Sequence, residues 1–166
     1  MRMSSVNVKR WIADSVVSGS AAAMLSAAAL SLRSKADENS WVGALNGPSQ
    51  WLWGERAARS RRASLRHTAV GYAIHHGTAV FWALIFERIC GRTNRDRLAL
   101  LSAGRIVAEA AAMAAGAYIV DYGLTPRRLQ PGFEKHLRAR SMWIVYGAFA
   151  AGFVITNLVR RPQAQK

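Results

Sequence analysis

Four apolar stretches almost empty of charge constrain this chain more than any other feature. Residues 11–32, 67–86, 98–120 and 142–159 make up 83 of the 166 residues, yet hold only Asp14, Arg105 and Glu109 of the 32 Lys, Arg, Asp and Glu side chains. A water-soluble helix of such length needs a charged face. About 18–25 mostly apolar residues with few charges are what a helix needs to cross a bilayer. The expected fold is therefore all-α: a four-helix transmembrane bundle in a single domain, 1–166. The mean hydropathy of +0.03 is the average of two unlike halves.

The net charge is +14, from 23 Lys/Arg and 9 Asp/Glu. A nucleic-acid binder gathers its cations on one face or tail. Here they punctuate the apolar stretches, as loop cations between membrane spans do, so no nucleic-acid partner is expected. Cys90 is the single cysteine and permits no internal disulfide. His67, His75, His76 and His136 are too scattered for a zinc site. No metal or cofactor is expected.

Lys9 and Arg10 before Trp11–Leu32, with small residues at 26–29, superficially resemble a signal peptide. The apolar part is long for that purpose and contains Asp14, so a retained first span is expected; cleavage would leave three spans. Four spans put both termini on one side, with ten Lys/Arg, against twelve on the other. The positive-inside rule hardly separates them. The compact, arginine-rich 87–97 connection tilts the reading towards cytoplasmic termini, and the near balance is compatible with insertion in both orientations.

The longest connection, 33–66, holds the turn signal Asn46-Gly-Pro-Ser49 and then Gln50-Trp-Leu-Trp-Gly-Glu-Arg-Ala-Ala-Arg-Ser-Arg-Arg62, aromatic first and cationic after. It reads as a short interfacial helix. Trp51 and Trp53 would sit at headgroup depth, and Arg59, Arg61 and Arg62 would meet phosphates of anionic lipids, the expected partners. The plainer alternative is a solvated charged loop with packed tryptophans.

In lipid, helices associate through close contact at small residues. Four-residue ladders occur in every span: Ser15, Gly19, Ala23 and Ala27; Gly71, His75, Ala79 and Ala83; Gly104, Ala108, Ala112 and Gly116; Ala148, Gly152 and Thr156. Each is expected to face the bundle. Ionisable residues inside spans face inward, find partners and are often functional. His76 lies 11 residues before Glu87, and Glu109 lies 12 after Arg97, which places both about 16–18 Å from one interface. Arg105 is one turn from Glu109 and can pair with it. His75, His76, Arg105 and Glu109 are thus candidates for a mid-membrane relay for protons or an ionic substrate. The competing reading is a buried ion pair that fixes helix register, with histidines bonded to backbone or water. Asp14 is expected to pair with Arg10, and Asp121 with Arg66 or His67 at the far interface. No phosphate loop, nucleophile elbow or carboxylate pair occurs, so no enzyme is expected.

Asn46-Gly-Pro-Ser-Gln-Trp-Leu-Trp-Gly54, His75-His76, Phe81-Trp-Ala-Leu-Ile-Phe-Glu87 and Tyr122-Gly-Leu-Thr-Pro126 cover about a quarter of the chain. In these segments it resembles small uncharacterised bacterial inner-membrane proteins with about four spans. The resemblance implies a multi-pass location in a cell inner membrane and no particular activity. Two functions follow: a small proton- or ion-coupled transporter or channel-like protein using the polar set, or a non-catalytic membrane-organising or stress-response protein acting through lipid and partner contacts. Four short spans leave little interior volume, so a homo-oligomer would favour the first.

Overall fold

The computed structural model describes residues 5–96 and 103–160. Among them the chain is helical and contains no strand. Four long helices carry it: α1 (Ser5–Glu38), α5 (Val70–Asp96, entered through a wider π turn at Leu65–Ala69), α6 (Ala103–Ile119, continued by a π turn at Val120–Leu124) and α7 (Ala139–Val159). Three one-turn helices, α2 (Gly43–Asn46), α3 (Gln50–Trp53) and α4 (Glu55–Ala58), lie between α1 and α5. All four long helices are long and apolar enough to cross a membrane, over Asn7–Glu38, Leu65–Ile89, Ala103–Leu124 and Ala139–Val159. This is the arrangement of a multi-pass membrane protein.

The helices outrun the apolar stretches. α1 begins before residue 11 and ends past residue 32, and α5 runs on from Glu87 to Asp96. Hydropathy marks where the solvent changes, but a helix stops only where its backbone is broken. Segment 87–96 contains no proline to do that. The expected connection 87–97 is thus mostly helix. Arg97 and the expected start of the third span, Leu98–Ser102, lie outside the described residues.

α1, the span richest in Ser and Ala, is the central helix and packs along both α5 and α7. Its ladder Ser15, Gly19, Ala23 and Ala27 is buried, as is Gly71, His75, Ala79 and Ala83 on α5. A side chain at Gly152 of α7 would come within 2.3 Å of the Ala22 Cα, so two helix backbones meet there. The serines tolerate burial because they hydrogen-bond the preceding turn: Ser15 to Trp11 O (2.8 Å), Ser18 to Asp14 O (3.0 Å) and Ser26 to Ala22 O (2.7 Å). The aromatic core is the stack of Phe86 on Phe153, at 4.6 Å between rings.

α6 is peripheral and leans mainly on α7. Its expected ladder faces the wrong way. Gly104, Ala108 and Ala112 are exposed and Gly116 is half-buried, while Ile106, Ala110, Ala114 and Ala117 form the buried face. Both alanine-rich stripes satisfy the small-residue spacing. Packing against α7 selects the one that includes Ile106.

The two connections at one end of the bundle, 39–64 and 125–138, fold onto each other as a cap. Asn46 is fully buried and donates to the Ser60 (2.7 Å) and Arg62 (3.1 Å) carbonyls, while Thr68 donates to its Oδ1 at 2.7 Å. Gln50 is 2% exposed and donates to the Gln130 carbonyl at 2.5 Å. The expected interfacial helix over 50–62 is two single turns instead, α3 and α4, divided by Gly54. Its φ of 75° suits glycine and breaks the helix.

Candidate functional site

Beneath the cap lies a cavity of about 50 Å³, to which each long helix or the turn that continues it brings a polar side chain. α1 contributes Ser26, α5 His75 and Thr78, the turn after α6 Asp121, and α7 Tyr146. Pro48 and Trp51 from one connection and Phe133 from the other close it. One water fills roughly 10–15 Å³ on this measure, so the space suits a few waters or a small ion.

The geometry follows from helix spacing. His75 occupies a place on the small-residue ladder of α5, so its ring points at α1. It is 8% exposed, its Nε2 lies 2.9 Å from Ser26 Oγ, and Phe133 meets the ring edge-on at 5.7 Å. Across the cavity the Tyr146 hydroxyl donates to Asp121 at 2.5 Å, and Tyr118 packs edge-on to Tyr146. Three buried side-chain atoms have no protein partner among the described residues: the Trp51 indole N–H, the Tyr122 hydroxyl and Ser49 Oγ. The Trp51 donor belongs to a residue that lines the cavity. A buried donor left unmet costs about 1–3 kcal/mol.

The four members of the expected relay are not brought together. His75 lines the cavity. His76, on the neighbouring face, is bonded to Ser20 Oγ (3.0 Å) and the Tyr72 hydroxyl (3.3 Å). Arg105 and Glu109 do pair, at 2.8 Å, with side chains 40% and 25% exposed. Among the described residues no hydrogen bond or ion pair links them to either histidine. Glu109 lies twelve residues before Asp121, hence about 18 Å along α6 from the cavity. The Arg–Glu pair thus belongs to the end of the bundle opposite the cap.

Two other expected pairings are replaced. Asp14 meets Arg160 at 3.6 Å instead of Arg10, because α7 ends beside it. Arg160 also reaches Glu87 at 3.4 Å, joining α1, α5 and α7. Asp121 takes the Tyr146 hydroxyl in place of Arg66 or His67. Arg66 instead lies over the Trp53 ring at 5.1 Å, with His67 edge-on to that ring at 6.0 Å.

Of the expected lipid-facing residues, Trp51 forms part of the cavity wall. Arg59 pairs with Glu55 at 2.7 Å and Arg61 with Glu38 at 2.8 Å, while Arg62 is exposed. The hydrogen bond from Arg59, then the charges of Arg59 and Lys135, hold the Glu55 carboxyl below its ordinary range. Ser26, Asp121 and Tyr146 were not singled out as a site. The available signal was an acidic residue at the end of an apolar run, with tyrosines on its own and the following span.

Among the described residues no three His, Cys, Asp or Glu side chains stand together as a metal site. Compared with known proteins, the chain matches no family model, no curated protein and no solved structure.

Proposed function

We propose that this multi-pass membrane protein handles protons or a small ion through the capped cavity, as a small transporter or channel-like protein and not as an enzyme. The observation that carries the reading is the convergence of Ser26, His75, Asp121 and Tyr146, one from each long helical segment, on a space sized for water. A titratable imidazole and a carboxylate lining one cavity can exchange a proton through an intervening water. Trp51 and Phe133 would gate access from the capped end. The inner membrane of a bacterial cell is the setting we assign, following the segment resemblance.

The test is proton flux in proteoliposomes carrying an internal pH-sensitive dye. The wild-type protein should collapse an imposed pH gradient faster than empty vesicles. His75→Leu and Asp121→Asn should each lower that rate at least tenfold while still inserting. A wild-type rate equal to that of empty vesicles, or variants that conduct normally, would falsify the reading.

A second reading, membrane organisation through partner contacts, draws on the outward stripe Gly104, Ala108, Ala112 and Gly116 on α6. Close helix contact between copies would use that stripe. Its mark would be a protein whose cellular role survives His75→Leu.

A further inference from the structure

The capped end holds two exposed arginines that no carboxylate pairs with directly among the described residues. Arg127 and Arg128 open the tight turn Arg127–Leu129 and are exposed. Their guanidinium groups make no ion pair or hydrogen bond among the described residues. They line an open groove of about 720 Å³ between the two connections, together with Arg59 and Lys135. The groove's two carboxylates, Glu55 and Glu134, are taken up by Arg59 at 2.7 Å and Lys135 at 3.0 Å. Two positive charges are left over.

The groove is also built. Gln50, almost wholly buried beneath it, accepts from Lys135 Nζ at 3.0 Å and donates to the Gln130 carbonyl, which ties both walls to one floor. A pre-set groove loses little freedom on binding. Guanidinium groups present the paired donors that suit phosphate oxygens.

Position selects the source of the phosphate. Both walls lie just beyond candidate spans, between Glu38 and Leu65 on one side and between Leu124 and Ala139 on the other. Such segments sit at headgroup depth. Leu129, 42% exposed, lies between the lining residues Arg128 and Gln130 in sequence and offers apolar surface to an acyl chain. We propose that this groove binds the phosphate of an anionic phospholipid headgroup, with Arg127 and Arg128 as its ligands. The site is separate from the cavity and does not depend on how the cavity is used.

The experiment uses the full-length protein in neutral detergent, with native mass spectrometry and thermal melting as readouts. The probes are phosphatidylglycerol, phosphatidylcholine and inorganic phosphate. Phosphatidylglycerol should bind saturably and raise the melting temperature, phosphatidylcholine should do neither, and millimolar phosphate should not displace the lipid. The Arg127→Gln/Arg128→Gln variant should bind phosphatidylglycerol at least tenfold more weakly. Arg140→Gln, at the same end but outside the groove, should bind as wild type. Equal binding by the double variant, equal loss in the Arg140 variant, or displacement by phosphate each overturns the proposal. Should the double variant aggregate, the wild-type protein decides the matter: 0.5 M salt must release the lipid, and retention at that salt sinks the idea.

Discussion

Glu38, the last residue of α1, accepts a hydrogen bond from His136 Nδ1 at 2.5 Å across 98 residues of sequence. The other ring nitrogen faces the Ala58 carbonyl. The contact joins α1 to the two connections that make the cap, and Arg61 adds an ion pair to Glu38 at 2.8 Å. His136→Ala should cost about 2–3 kcal/mol, the value of a hydrogen bond to a charged group. It should also open segment 39–64 to protease before the bundle unfolds. A variant that melts like wild type and resists cleavage equally would remove His136 as the fastener.

Gly152 and Gly116 give opposite expectations for the same change. Gly152→Ala drives a methyl group into the α1 backbone and should destabilise the bundle by about 1–3 kcal/mol. Gly116 has nothing within 4 Å of the position its Cβ would take, so Gly116→Ala should be neutral or stabilising by up to about 1 kcal/mol. Thermal melts in detergent compare the two directly. Equal effects would mean that α7 does not meet α1 at Gly152.

At the end opposite the cap, Arg160 holds Asp14 and Glu87 together, and Asn157 also donates to Glu87 at 3.2 Å. Arg160→Gln leaves the buried Glu87 without its cation. Removing one member of a fully buried pair costs about 3–5 kcal/mol. Arg160 is 28% exposed, so solvent screening lowers the expectation to about 1–3 kcal/mol. Adding Glu87→Gln should restore part of that loss, and a double-mutant cycle on melting data measures the coupling. Strict additivity would dissolve the pair.

Glu109 separates the cavity from the relay that spacing alone suggests. Glu109→Gln breaks a partly exposed ion pair worth up to about 1 kcal/mol and should leave proton flux unchanged, while His75→Leu abolishes it. Loss of flux in the Glu109 variant would return function to the far end of α6.

Half of this architecture is written in local patterns. The span count needs only the distribution of charge along the chain. The burial of His75 needs only its place in a ladder of small residues, and the Arg105–Glu109 pair needs only their four-residue spacing. Helix ends are different: α5 runs nine residues past Glu87 because charge ends a span without ending a helix. The buried stripe on α6 is not legible from spacing, because an alanine-rich helix offers two small faces and only a neighbour chooses between them. The cap was least visible. Asn46, Gln50 and His136 look like polar loop residues, and their burial arises from contact between two connections far apart in sequence.

That cap also makes the two ends of the molecule chemically unlike. One carries the cavity, the phosphate-seeking groove and the Glu38–His136 fastener; the other carries the Asp14–Arg160–Glu87 knot. Lysine and arginine numbers are nearly even across the bilayer, so charge alone steers insertion only slightly. A copy threaded the opposite way would deliver its whole working face to the other compartment. Exchanging a few loop arginines should therefore act as a reversing switch for the protein's polarity while its helices stay as they are.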